Sequence, residues 1–257
     1  MNVTRNVTYN LDILGRNVIL TFSQDGETLA GNGEDLTVWN TSTGQILSEI
    51  ETERLSVNQR PIVSPDGHYV ALVEDHQLKI WDTSTGQIVS ELTSTPVNAI
   101  AFHPTLDIVV IADRYNISVN NIQTGKRIHT LSPSGFIVPY DDTLHFSHTD
   151  DYLIFGSGTG AIRIWNWESG SIVTTLETHH AGGNNIALSK DESIMLTSDI
   201  DGNLLVWDYG NLELLESIPT RSIRIEKVIL STDNKMVFVL SADGVISLWG
   251  VPSSEKR

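Results

Sequence analysis

No cysteine occurs among the 257 residues, so disulfides, thiolate metal sites and cysteine nucleophiles are excluded. Positive charge is scarce as well: 16 Lys and Arg stand against 32 Asp and Glu, a formal net charge of −16. Such a field repels phosphate backbones, and the basic side chains are scattered, so no nucleic-acid partner is expected. No apolar run approaches the ~20 residues of a membrane helix, and no membrane association is expected. The stretch Met1 to Tyr9 holds no apolar segment of signal-peptide type. A chain without thiols or such a segment is expected in the cytoplasm, and the sequons at Asn2, Asn6, Asn40 and Asn116 then read as chance matches. Helical periodicity is missing too. What the chain does have is a hydrophobic content of 40%, enough for a sizeable core.

It also has an internal repeat. Val38-Trp39-Asn40-Thr41-Ser42-Thr43-Gly44-Gln45-Ile46 returns as Ile80-Trp81-Asp82-Thr83-Ser84-Thr85-Gly86-Gln87-Ile88. A weaker copy runs from Val119 through Asn120, Asn121 and Ile122 to Gly125, and shorter ones are Ile164-Trp165-Asn166, Val206-Trp207-Asp208 and Leu248-Trp249-Gly250. The anchors at 39, 81, 120, 165, 207 and 249 are spaced by 42, 39, 45, 42 and 42 residues. Upstream of each lies an apolar residue followed by a polar turn, as in Phe22-Ser23-Gln24-Asp25-Gly26 and Val63-Ser64-Pro65-Asp66-Gly67. Later versions start at Phe102, Phe146, Leu188 and Leu230. Aliphatic runs such as Ile108 to Ile111 fill the interval to the anchor, and a Thr-Gly or Ser-Gly turn follows it. Each unit reads as four short strands joined by tight turns.

This pattern resembles the WD40-repeat family, marked by a period near 40–45 residues and a Trp-Asp dipeptide at a strand end. The resemblance implies an all-β propeller of six four-stranded antiparallel blades, one domain over residues 1–251 followed by a short polar tail, 252–257. It further implies a structural tetrad in the fifth repeat: His179 before the first strand, Thr197 in the second, Asp201 in the turn after it and Trp207. Asn120 replaces the anchor Trp of the third repeat, which predicts a looser blade there. The last repeat stops near Trp249 and lacks a fourth strand. Thr4 to Tyr9 aligns with Gln45 to Ile50, so the N-terminus is expected to close the ring as that strand.

Several features look chemical. Gly156-Ser157-Gly158-Thr159-Gly160 resembles a phosphate-cradling loop, but such a loop opens a helix, and here Ile162-Arg163-Ile164-Trp165 reads as strand. His145 with His148, and His179 with His180, fall short of three or four converging metal ligands. Asp141-Asp142 and Asp150-Asp151 read as solvated turn acids rather than a catalytic pair. No catalytic residue, metal or cofactor is therefore assigned, and a protein–protein scaffold is expected, with a protein or peptide partner. The competing classes are a propeller enzyme, which the absence of a regular set of His or acid positions disfavours, and a sensor domain of a longer chain. The propeller is expected to be monomeric within its complex. The long 45-residue interval holds Phe136, Ile137, Val138 and Tyr140 between prolines. With Arg114 and Tyr115 of the preceding repeat, they form the predicted binding patch. The competing reading tucks those apolar residues into local core.

Overall fold

The computed structural model describes residues 19–33, 35–52, 60–74, 77–93, 97–113, 115–131, 143–147, 151–156, 160–176, 185–199, 201–220, 224–231 and 233–250. Its contacts divide the chain into two compact units, Met1–Ile111 with Val119–Ile128, and Ala112–Ser118 with His129–Arg257.

Strands form wherever the sequence carries its β-branched and aliphatic runs, and every sheet is built from consecutive strands. Sheet one holds β1 (Ile19–Phe22), β2 (Thr28–Asn32), β3 (Leu36–Asn40) and β4 (Ile46–Ile50) in that order. Sheet two holds β5 (Ile62–Val63), β6 (Tyr69–Glu74), β7 (Gln77–Asp82) and β8 (Ile88–Thr93). Sheet three follows with β9 (Ala99–Phe102), β10 (Ile108–Ala112), β11 (Ile117–Asn121) and β12 (Arg127–Leu131); the division between the units runs through it. Sheet four holds β13 (Leu144–Phe146), β14 (Tyr152–Gly156), β15 (Ile162–Asn166) and β16 (Ser171–Leu176). Sheet five holds β17 (Ile186–Leu188), β18 (Ile194–Ser198), β19 (Asn203–Asp208) and β20 (Glu213–Pro219). Sheet six has three strands among the described residues, β21 (Ile225–Leu230), β22 (Met236–Ser241) and β23 (Ile246–Gly250). Thr4 to Tyr9 lies outside the described residues.

The inner strands are buried on both faces, which is why they read as near-continuous apolar runs rather than alternating ones. In the second unit, Met195, Leu205 and Trp207 of sheet five pack against Ile154, Ile162 and Ile164 of sheet four. Their neighbours Leu196 and Leu204 face the other way, against Val228, Val237 and Val239 of sheet six. In the first unit, Ala30, Leu36, Val38 and Ile50 of sheet one meet Val63, Val70, Leu72 and Trp81 of sheet two. Pairing of the third strand with the fourth slips by a bulge immediately before Trp39, Trp81, Trp165 and Trp207. The bulge re-aims the anchor ring at the start of the turn.

The turns that open the hairpins share one chemistry. Ser23, Ser64, Ser189 and Ser231 each donate through Oγ to the Asp two residues on, at 2.5, 2.6, 2.7 and 2.6 Å. The same Oγ atoms accept from the backbone N–H five residues on, each at 2.9 Å. The residue after the Asp takes a left-handed backbone: Gly26, Gly67, Glu192 and Asn234, with φ of 76°, 73°, 53° and 58°. Gly67 is further fixed by crowding, since a Cβ there would meet Thr28 Oγ1 of the neighbouring sheet at 2.2 Å. Glu192 pays a steric penalty that glycine and asparagine escape. Glu192→Gly is therefore expected to raise stability by about 0.5–1 kcal/mol, after the larger unfolded-state entropy of glycine is deducted. Urea unfolding checks this, and a destabilised variant would contradict the strain at this turn.

Candidate interaction surface

A second family of turns follows the anchors and sets the shape of the chain between third and fourth strands. Oδ1 of Asn40, Asp82, Asn121 and Asn166 accepts from the backbone N–H three residues on, at 2.9, 2.9, 2.8 and 2.8 Å. Asp208 does the same for Asn211 N–H at 3.0 Å. The fifth residue of each of the first four turns is a left-handed glycine, Gly44, Gly86, Gly125 and Gly170, while Leu212 takes that conformation in the fifth. The second half of the Trp-Asp dipeptide is thus a turn cap. In the sixth repeat its place is held by Gly250, which has no side chain to cap with.

Three turn carboxylates, Asp82, Asp191 and Asp233, are held below the usual carboxylate range by the bonds they accept. Hydrogen bonds from Ser189 and then Ser193 take Asp191 from an ordinary 3.8 down to about 2. Asp233 is lowered first by Ser231, and Asp82 first by Ser84. A carboxyl depressed in the fold contributes stability above its unfolded pKa and loses it as pH falls through the folded value. Stability is therefore expected to decline between about pH 4 and pH 2, and Ser189→Ala should flatten that decline. Urea midpoints across this range measure it. A Ser189→Ala variant with the same acid slope as the parent would remove Asp191 from the account.

Of the residues assigned to the fifth-repeat tetrad, two meet directly: Trp207 Nε1 donates to Thr197 Oγ1 at 2.9 Å, and both are buried. His179 lies outside the described residues. Asp201, placed in the buried chain by counting from Trp207, is exposed in the turn. The acid buried there is Asp199, whose two oxygens accept from Asn203 N–H and Nδ2, each at 2.8 Å. Asp199 directly follows β18 and is buried, whereas Asp201, two residues on, is exposed. Beside it, Asn185 Nδ2 donates to Ser198 Oγ and to the Ile225 carbonyl, both at 3.1 Å, joining sheets five and six. The cross-strand register puts Gly31, Leu72, Phe155 and Val239 at the place of Thr197 in sheets one, two, four and six, so none of these offers the indole a hydroxyl.

Within the predicted binding patch, Arg114, Phe136, Ile137, Val138 and Tyr140 lie outside the described residues. Tyr115 is 65% exposed. The turn beneath it is tight: Asp113 Oδ1 accepts from Tyr115 N–H at 2.6 Å and Asn116 N–H at 2.7 Å. An aromatic side chain thus stands exposed where Asp113 accepts from two successive backbone N–H groups. Among the features set aside, Gly156 pairs with Ile162, so strand follows the glycine-rich segment. Phe146 is buried and His145 sits on the opposite face of β13. Among the described residues no three His, Asp or Glu side chains converge in a metal-binding group.

One polar cluster has no signature in the sequence. Tyr69 Oη donates to Asp107 Oδ1 at 2.9 Å and accepts from Gln123 Nε2 at 2.7 Å, and its ring stacks on Phe102 with centroids 6.4 Å apart. Burial first, then the Asp107 carboxylate, push the phenol up to about 12. It serves as a neutral latch between sheets two and three.

Comparison with known proteins bears on this surface. The family model described as WD domain, G-beta repeat matches residues 170–208. That stretch contains β16 of sheet four and β17, β18 and β19 of sheet five, so the unit of sequence is offset by one strand from the unit of structure. A putative BTB/POZ domain and WD-repeat protein of Acanthamoeba polyphaga mimivirus is 23% identical over 150 residues. The match covers 55% of this chain and 30% of that protein.

Proposed function

Because this chain is of the WD40-repeat kind, we propose that it is a non-enzymatic scaffold that holds a protein or peptide partner on its turns. The observation that carries this reading is the pairing of an exposed Tyr115 with a turn fixed by Asp113. A partner that meets such a turn has little ordering left to do, and aromatic anchors supply much of the binding energy at interfaces. The patch is proposed to extend through Arg114 to Phe136, Ile137, Val138 and Tyr140. The protein is proposed to act in the cytoplasm, as a monomer within its complex, without cofactor, nucleic acid or membrane.

The scaffold is proposed to be a six-bladed propeller. The offset between repeat and sheet supports closure: when each repeat gives its first strand to one sheet and three to the next, the last sheet is left one strand short. Thr4 to Tyr9, which aligns with β4, is proposed to fill that place beside β23.

Affinity capture with mass spectrometry tests the scaffold. The triple change Tyr115→Ala, Phe136→Ala and Tyr140→Ala is expected to lower partner recovery at least about tenfold while leaving thermal unfolding nearly unchanged. Full recovery with lost stability would assign these side chains to local core instead.

A further inference from the structure

Sheets five and six enclose a groove of about 620 Å³, counted with its open mouth. Its walls are Leu196, Leu204, Val206, Ile218 and Val237, with Trp249 at one side.

At this groove Gly250 holds the place that an Asp or Asn cap takes in the other five repeats. In the first unit the turn after Trp81 sits on β4: Ser48 Oγ donates to the Thr83 carbonyl at 2.9 Å, and a Cβ on Gly86 would lie 3.3 Å from Ser48 Cβ. Likewise a Cβ on Gly125 would lie 3.4 Å from Ser90 Oγ on β8. Glu216 and Ile218 occupy on β20 the places of Ser48 and Ile50 on β4, opposite Val206 and Leu204 as those are opposite Val38 and Leu36. Over them stands Gly250 in place of Asp82 and Asn121, and both Glu216 and Ile218 line open space.

We infer that this groove is a docking site for one aliphatic side chain of an extended peptide, flanked by Lys or Arg. The inference rests on the scaffold reading and gives it a second contact point. Charge selects the flanks. The one charged lining residue is Glu216, and Asn234 at the groove holds the acid Asp191 through Nδ2 at 3.1 Å. Glu213 is exposed on the same strand, and no lining residue is basic. The apolar walls supply the attraction for the central side chain, and the acids steer and orient its neighbours.

The test uses the full chain and a fluorescein-labelled peptide of one leucine between two pairs of lysines, read by anisotropy. A peptide with aspartate in place of the leucine serves as control. Gly250→Leu should plug the groove without straining the fold, because a Cβ at Gly250 meets nothing within 4 Å. Glu216→Lys should reverse the charge at an exposed site. Each variant is expected to weaken binding at least about tenfold, with unchanged thermal unfolding, and the aspartate peptide should bind no better than the variants do. Equal binding by parent and Gly250→Leu, or none by the parent up to about 1 mM, would overturn the proposal. So would tight competition by a peptide of residues 1–12, which would make the occupant the chain's own N-terminus. So would dissociation of a dimer by Gly250→Leu, which would make it a second copy. If native partners are still captured by Gly250→Leu and lost with the Tyr115 triple variant, the scaffold stands and the groove alone falls.

Discussion

Trp207→Ala is expected to destabilise the protein by about 3–5 kcal/mol, the largest effect of any single change considered. The ring is 2% exposed and lies among Ile154, Ile162, Ile164, Ile186 and Met195, so truncation opens a cavity between two sheets. It also removes the indole N–H that Thr197 Oγ1 accepts between two buried side chains. Trp207→Phe separates the two contributions. It keeps much of the volume, removes the donor, and should cost about 1–3 kcal/mol. Trp249 provides the internal comparison. It is only partly buried, and its Nε1 has no partner among the described residues. Trp249→Ala should therefore cost clearly less than Trp207→Ala. Urea unfolding followed by circular dichroism measures all three, and equal costs for the two alanine variants would sink the account.

Removing residues 1–10 is expected to cost on the order of 3–5 kcal/mol and to promote self-association. The size follows from the proposed closure. In the alignment with β4, Val7 and Tyr9 take the inward places of Ser48 and Ile50, and burying two such side chains is worth roughly 1.5–3 kcal/mol each. Without that segment β23 would become an edge strand carrying Ile246 and Leu248, both more than half exposed. An unpaired edge of that kind recruits other chains. Thermal unfolding with static light scattering reads both effects. An unchanged midpoint together with a monodisperse sample would rule out closure by this segment.

Local chemistry was legible in the sequence, and tertiary choice was not. The anchors sit at strand ends where the repeat put them, because Trp followed by Asp or Asn marks a bulge and then a capped turn over four or five adjacent residues. Ser23 and Ser64, with their Asp partners, are readable for the same reason. Asp199 was missed in favour of Asp201 because spacing from Trp207 cannot say which of two acids in one turn points inward. The Tyr69 latch was invisible because Asp107 and Gln123 come from the next sheet, and only the stacking of sheets brings them to one phenol. The groove was equally hidden. A glycine after Trp249 is unremarkable as a letter, and it matters only through what every other repeat places there.

The building of each sheet from consecutive strands has a kinetic side. Within a sheet, strands pair across turns of a few residues, so contacts are local for an all-β protein and loop-closure costs stay small. Sheets one to five can each complete in the order in which their residues leave the ribosome, and a nascent chain need not hold open edges in waiting. Sheet six is different. If its fourth strand comes from Thr4 to Tyr9, a segment made before the other five sheets must stay unpaired until β23 is made, and the slowest step of folding becomes the meeting of these two segments.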